Sequence, residues 1–216
     1  MIQFREQLVK RYDQGKHFWE MRSCKYWDEF KETKILSTKV SFKPSFCVDR
    51  SGSVIGNTAY FIKSGAFDNY LLCLLNSALS EYYARNIFST KQGGFYEVQP
   101  DGLEAFPVPR LVDREARILN EIDYSAIAGS DNRLEQLLNG FVYELFFKDD
   151  LHARGLTLFD EAERAGLGKL AGLEGATLVK AAQEFADRVF QPSHPLYGML
   201  FDLQALDVVR IIEGKE

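Results

Sequence analysis

The hydrophobic spacing of this chain changes from a strand-like to a helix-like pattern near residue 110, and this change most constrains the fold. Between residues 34 and 63 the runs KILSTKV, SFCVD and NTAYFIK are short and rich in β-branched and aromatic residues. Pro44 and the SGS of residues 51–53 separate them. Such runs predict three strands, and we expect the last two to pair as a hairpin across DRSGS.

Helical spacing dominates the rest of the chain. Residues 2–13 predict a short amphipathic helix, and residues 68–88 predict a longer one that Asp68 caps. After it, FYEV predicts a further strand, and the two prolines of FPVPR end regular structure near residue 110. Beyond that point the apolar spacing predicts helices over residues 113–122, 131–148, about 176–190 and 197–212.

These patterns predict an α+β fold. Residues 1–110 would hold a small mixed sheet with helices, and residues 111–216 would form an α-helical subdomain. A chain of 216 residues with 46% hydrophobic content is long enough to bury a sizeable core. Its longest apolar runs are far shorter than the ~20 residues of a membrane span. The three cysteines suggest neither a disulfide framework nor a metal site. We therefore expect a cytoplasmic protein without a membrane partner.

Charge is distributed unevenly along the chain. The net charge is −5, which by itself disfavours binding to a polyanion. Residues 1–64, however, hold 12 basic against 7 acidic residues, whereas residues 111–216 hold 11 against 19. The basic excess is compatible with a nucleic-acid contact surface, although ordinary solvation of a protein surface explains it as well.

The segment FWEMRSCKYWDEF, residues 18–30, combines aromatic and basic side chains. Trp19, Tyr26 and Trp27 offer stacking faces, unless they pack in the core as most aromatics do. Arg22 and Lys25 fit a core poorly, and they could reach a guanine edge and a phosphate.

The segment TKQGGFY, residues 90–96, is a second candidate contact loop. Two glycines allow backbone amides to approach a phosphate closely, and Lys91 adds a positive charge. A plain helix-to-strand connection with a glycine C-cap explains the same residues.

Several ordered motifs resemble the TaqI-like C-terminal specificity domain of adenine-specific DNA methyltransferases in restriction-modification systems. They are WxxRxCxYW, the strand after Lys34, NTAYFI, LLCLLNS, GGFY and FPVP, and they cover residues 16–110. Residues 137–159 also resemble, more weakly, the helical end of larger fused methylases.

The resemblance implies sequence-specific recognition of double-stranded DNA by residues 1–110. It also implies a methyltransferase catalytic domain or subunit as partner. The spacing and charge of residues 111–216 separately predict an acidic helical subdomain. The candidate DNA contacts are Trp19, Arg22, Ser23, Lys25, Tyr26, Lys34, Lys39, Lys43, Arg50, Asn57, Lys91, Gly93, Gly94 and Tyr96. We further expect Arg22, Lys25, Lys39, Lys43 and Lys91 to share one exposed face.

No motif in the sequence indicates catalysis. The NPPY-type motif of amino-methyltransferases does not occur, and the GxGxxA of residues 166–171 follows a helical pattern where a strand is required. Gly168-Lys169 does not continue as a P-loop, and the two ExK matches at residues 29–34 have no second carboxylate on a preceding strand. His17, His152 and His194 lack metal-ligand spacing. We predict no cofactor, no metal and no catalysis by this chain alone.

Two other functions fit the same sequence. The chain could be a protein-interaction module whose acidic helices dock on a catalytic subunit, with any DNA contact belonging to that partner. It could also be an enzyme with an unrecognised site, which a cleft of perturbed carboxylates would favour.

Overall fold

The computed structural model describes residues 2–63, 65–110 and 114–215. Over these residues the predicted α+β class is confirmed. The strands form two three-stranded antiparallel sheets instead of the one mixed sheet that the sequence predicts. The strands are β1 (Lys34–Thr38), β2 (Val40–Ser41), β3 (Phe46–Asp49), β4 (Ala59–Ile62), β5 (Ser89–Thr90) and β6 (Tyr96–Glu97).

The first sheet has the order β3-β1-β4. Ile35 of β1 is opposite Val48 on one side and Ile62 on the other, and its side chain is fully buried. The predicted hairpin between β3 and β4 is therefore wrong, because both strands pair with β1 instead. At the end of β3, the Asp49 carboxylate accepts hydrogen bonds from the amides of Ser51 and Ser53, so the chain turns away from β3.

The second sheet has the order β2-β6-β5. Lys39 joins it to the first sheet through its backbone. Its amide donates to the carbonyl of Thr58 at 2.8 Å, and its carbonyl accepts from the amide of Val98 at 2.9 Å. The chain thus leaves one sheet and enters the next within one residue.

Helices make up most of the remaining structure. They are α1 (Arg5–Val9), α2 (Asp68–Leu75), α3 (Ala78–Ile87), α4 (Pro100–Glu104), α5 (Arg114–Glu121), α6 (Tyr124–Ile127), α7 (Asn132–Phe146), α8 (Lys148–His152), α9 (Leu158–Arg164), α10 (Gly175–Val189), α11 (Pro195–Leu203) and α12 (Asp207–Ile212). None of those in the described chain is long and apolar enough to cross a bilayer.

The helix predicted over residues 68–88 is broken into α2 and α3. Asn76 ends α2, and its side chain bonds both the amide and the carbonyl of Phe46 in β3. The hydroxyl of Ser77 then accepts from the amide of Ser80 at 3.2 Å and caps α3. The cap of α2 is Phe67 and not Asp68, which is the first helical residue.

The other predicted helices are present with changed bounds, and the one predicted over about 176–190 is α10. The helices predicted over residues 131–148 and 197–212 each divide in two, giving α7 with α8 and α11 with α12. Of the helix predicted over residues 2–13, residues 2–9 form a short 3-10 turn and α1. Of the helix predicted over residues 113–122, residue 113 lies outside the described residues, and α5 covers most of the remainder.

One hydrophobic core crosses the predicted boundary near residue 110. The apolar face of α2, with Tyr70, Leu72 and Leu74 buried, packs against α5 and α6 of the second half. Helices α3 and α12 also meet across the boundary, where Arg85 donates to the carbonyl of Ile212 at 3.0 Å. The two small sheets therefore rest on a helical body to which both halves of the chain contribute.

Candidate nucleic-acid interface

The GGFY segment forms the turn of a β-hairpin between β5 and β6. The amide of Lys91 donates to the carbonyl of Phe95 at 2.6 Å, and the amide of Gly94 donates to the carbonyl of Lys91 at 3.2 Å. Gly93 and Gly94 have φ values of +82° and +80°, a region that residues with a side chain rarely adopt. The alternative of a helix-to-strand connection with a glycine cap does not describe this turn, since Phe88 already ends α3.

Lys39 and Lys91 meet at the base of this hairpin. Both form ion pairs with Glu97 of β6. Its Oε2 lies 2.6 Å from Lys91 Nζ, and its Oε1 lies 3.7 Å from Lys39 Nζ. The two ammonium groups hold the pKa of Glu97 below its usual value, Lys91 more strongly than Lys39. Two of the predicted basic contacts are thus brought together by strands about 50 residues apart in sequence.

An exposed aromatic pair lies beside the turn of the same hairpin. The rings of Phe42 and Phe95 are 6.1 Å apart in an edge-to-face arrangement, and 68% of Phe42 is exposed to solvent. A Cβ added to Gly94 would lie 3.7 Å from the Phe42 ring, which places the glycine turn directly beside it. Sequence reasoning missed this pair; the signal available was an isolated phenylalanine between Ser41 and Lys43, where no apolar period requires it.

We refer to Lys39, Phe42, Lys91, Phe95 and Glu97, with the turn glycines, as the hairpin edge. It combines two exposed aromatic rings, two partly exposed ammonium groups and the backbone of a glycine turn. These are the groups that contact nucleic-acid bases and phosphates.

Three aromatic side chains of residues 18–30 contact another ring and are also exposed to solvent. They are Trp19, Tyr26 and Trp27. Tyr26 and Trp27 contact the buried Phe30 with ring distances of 6.1 and 6.0 Å, yet each is at least half exposed. Trp19 is half exposed and stacks on His17 at 4.7 Å. None of these three aromatics is buried in the core, and their role as stacking faces for nucleic acid stays a prediction.

Arg22, Ser23 and Lys25 lie on the exposed side of this segment. The backbone amide of Arg22 donates to the carbonyl of Asp13 at 3.1 Å, so the chain position of Arg22 is fixed by a local hairpin. Within residues 2–63, 65–110 and 114–215, neither Arg22 nor Lys25 forms an ion pair through its side chain. Both cationic groups are thus available to a ligand.

Lys34 does not belong to a contact surface, and this prediction is corrected. Its side chain is fully buried, with Nζ 2.6 Å from Asp49 Oδ2 and 2.7 Å from the carbonyl of Phe30. The ammonium group is committed to an internal ion pair and cannot reach DNA. Simple strand alternation does not predict this, because Lys34 and the next residue of β1, Ile35, are both buried.

The remaining four candidates each lie in a different setting. Arg50 is 3.9 Å from Asp123 in the helical half, and Lys43 borders a polar cavity of about 190 Å³ between the two halves. Asn57 is exposed in the turn before β4. Tyr96 is half-buried and packs on a small cluster around Phe88. That Arg22, Lys25, Lys39, Lys43 and Lys91 share one face stays a prediction.

The motifs dismissed as catalytic have structural explanations. Lys31 of the first ExK pairs with Asp28 at 2.8 Å, and Lys34 of the second pairs with Asp49. The GxGxxA begins a 3-10 turn directly after α9, so a helix precedes it. In the part of the chain that the structure describes, no three His, Cys, Asp or Glu side chains group as a metal site requires.

Comparison with known families concerns the part of the chain that contains both sheets. The TaqI-like C-terminal specificity domain matches residues 2–108. This part of the chain belongs to that family. The match includes the hairpin edge and the segment of residues 18–30, and the specificity domain ends before α5. Membership places these residues in the context of target recognition by restriction-modification methyltransferases. A search of curated proteins found no match.

Proposed function

We propose that residues 2–108 read the sequence of duplex DNA for an adenine-specific methyltransferase of a restriction-modification system. The hairpin edge carries the proposal, because it presents lysine, aromatic and glycine-turn groups together within the specificity domain. The partner is the catalytic domain or subunit of the methyltransferase, which would supply the methyl transfer.

The contacts divide by chemistry. Lys39 and Lys91 would position the phosphate backbone, while Arg22 would read a base edge with its planar, bidentate guanidinium. The exposed rings of Phe42 and Phe95 would cover bases or sugars at the edge of the contact. The acidic helices of residues 114–215 would face away from the polyanion and support the specificity domain.

Changing Lys39 or Lys91 to Ala should weaken binding to all duplex sequences alike. Each lost phosphate contact should reduce the slope of log K against log salt by about one unit. The measurement is fluorescence anisotropy with a mixed-sequence duplex between 50 and 200 mM salt. Over this range a protein with about 6–10 phosphate contacts loses affinity by roughly 10³- to 10⁵-fold. Lys180→Ala on α10 is the matched control, because it removes the same charge from an exposed side chain in the acidic half. Equal slopes for all three variants would contradict the assignment.

Arg22→Ala should instead reduce discrimination between sequences. If the guanidinium reads one base, the loss is about 1–3 kcal/mol against the preferred site, with little change on other duplexes. The preferred site would first be selected from a random duplex library with the wild-type chain and its methyltransferase partner. Lys25 is three residues after Arg22 in the same segment. Lys25→Ala should lower affinity without changing the selected sequence. If Arg22→Ala instead lowered the affinity for all duplexes equally, Arg22 would be a phosphate contact and not a base contact.

The protein-interaction module remains the competing function. It predicts that this chain binds the catalytic subunit and that duplex binding appears only in the complex. It also predicts that Lys39→Ala and Lys91→Ala leave the salt slope of the complex unchanged. The same titrations, repeated with the methyltransferase subunit, therefore separate the two functions.

A further inference from the structure

Glu97 occupies the centre of the second sheet, with one lysine on either side. Its strand, β6, lies between β2 and β5, and Glu97 is opposite Val40 on one neighbour and Ser89 on the other. Lys39 precedes Val40, and Lys91 follows the end of β5. Each oxygen of the carboxylate therefore faces the lysine of a different flank, Oε1 facing Lys39 and Oε2 facing Lys91.

Ion pairs between exposed side chains add little to stability. The Lys39 and Lys91 side chains are 41% and 50% exposed, and ion pairs at such positions contribute little to folding. The sheet is held by its ladder and by the backbone bonds of Lys39, which the carboxylate does not touch. A carboxylate between the two lysines of a DNA contact also opposes the binding of phosphate.

The charge balance of the three groups sets how strongly they attract DNA. Two ammonium groups with one carboxylate present a single net positive charge, so a phosphate must share or displace the carboxylate to gain both lysines. Binding that depends on phosphates alone is weakened by this competition. At the preferred site, base contacts can offset this competition. The carboxylate therefore lowers affinity for arbitrary duplexes more than for the preferred site, and the difference between those affinities is the specificity.

We infer that Glu97 is a specificity-determining residue that limits the binding of Lys39 and Lys91 to arbitrary duplex DNA. This inference rests on the proposed DNA-recognition function. Glu97 acts through the two lysines and need not touch DNA itself. The pairing with Lys91 keeps its pKa low, so the carboxylate is ionised at neutral pH and the restraint is present there.

Glu97→Gln in the full chain should bind a mixed-sequence duplex more tightly than the wild type. Removing one opposing charge should raise the affinity about three- to tenfold near 0.1 M salt and steepen the salt slope by up to about one unit. Glu104→Gln is the matched control, because it changes the net charge equally from an exposed position of the same domain that is outside the hairpin edge. An increase for Glu97→Gln no larger than that for Glu104→Gln overturns the inference.

A second set of variants tests whether Glu97 acts through the lysines. In a chain that carries Lys39→Gln and Lys91→Gln, adding Glu97→Gln should change affinity no more than adding Glu104→Gln. If the full increase persists there, Glu97 acts elsewhere and the inference is wrong.

Folding is checked by thermal melts of each variant. Glu97→Thr repeats the charge change with a residue that favours strands, and it should behave as Glu97→Gln does. Loss of folding in both would show a structural role for Glu97 and overturn the inference. If the wild-type chain binds duplex DNA and the two Glu97 variants bind it no more tightly than Glu104→Gln does, this inference alone fails. If neither wild type nor variant binds duplex at low salt, with or without the methyltransferase subunit, the proposed function itself fails.

Discussion

A chain ending at Arg110 should fail to fold, although it contains the whole specificity domain. The buried face of α2 packs against α5 and α6, both of which the truncation removes. Tyr70, Leu72 and Leu74 are each no more than 1% exposed in the full chain and would meet water in the fragment. Each such side chain loses about 1.5–3 kcal/mol of burial, and a few of them together are comparable to the ~5–15 kcal/mol net stability of a domain. We expect no cooperative thermal transition.

Polar contacts across the boundary add to this effect. Asn120 of α5 accepts from the amide of Tyr70 and donates to the carbonyl of Ala66, so it ties down the start of α2. Asn139 of α7 accepts from the amide of Ala78 at 2.8 Å, at the first residue of α3. Truncation leaves these backbone groups without their hydrogen-bond partners. The loss of stability is greatest for groups that stay buried.

The measurement is circular dichroism through a thermal melt of residues 1–110 beside the full chain. A chain lacking residues 1–10 is the control, because none of the residues of α1 is buried, and its melt should stay cooperative. A cooperative transition in the 1–110 fragment would show instead that residue 110 is a true domain boundary, as the sequence predicts.

The fold was predictable from the sequence wherever local pattern decides it. Strands β1, β3 and β4 lie within the runs KILSTKV, SFCVD and NTAYFIK, because β-branched and aromatic residues suit a half-buried strand. Their pairing was not predictable in the same way. The central place of β1 depends on which of three similar runs is most buried, which is a property of the whole core.

The same distinction explains the broken helix. LLCLLNSALSEYYARN has helical spacing throughout, and Asn76 looks like one polar residue on its outer face. Asn76 in fact bonds the backbone of Phe46, 30 residues earlier, and Ser77 caps the next helix. Only the tertiary contact with β3 distinguishes this break from a continuous helix.

The candidate interface was predictable in composition but not in arrangement. The glycine turn and Lys91 were recognisable because positive φ and a single charge are local features. The meeting of Lys39 with Lys91, and of Phe42 with Phe95, requires the pairing of β2 with β6, which joins residues more than 50 positions apart. Lys34 and Lys39, five residues apart, look alike in sequence, yet Lys34 is buried and Lys39 belongs to the hairpin edge.

Lys34→Met should be among the most destabilising single changes in this chain. Methionine has a similar length and suits the buried position, but it leaves the Asp49 carboxylate without its ammonium partner. Breaking a buried ion pair by removing one partner is strongly destabilising, and we expect the thermal midpoint to fall by on the order of 10 °C. The matched control is Lys31→Met, which breaks the exposed pair with Asp28 and should change the midpoint little.

The pH dependence of stability tests whether Asp49 causes that loss. In the wild type, the Lys34 ammonium and then the Ser51 hydroxyl hold the pKa of Asp49 far below its usual value. A depressed native pKa contributes stability that is present above about pH 4, where the carboxyl of the unfolded chain is ionised, and that is lost as pH falls toward the native pKa. Lys34→Met removes the largest cause of this depression. The difference in denaturant midpoint between wild type and variant should therefore be greatest at pH 7 and narrow below about pH 4. A difference that stays constant from pH 7 to pH 3 would assign the loss to the packing of the Lys34 stem and its bond to Phe30, and not to the ion pair.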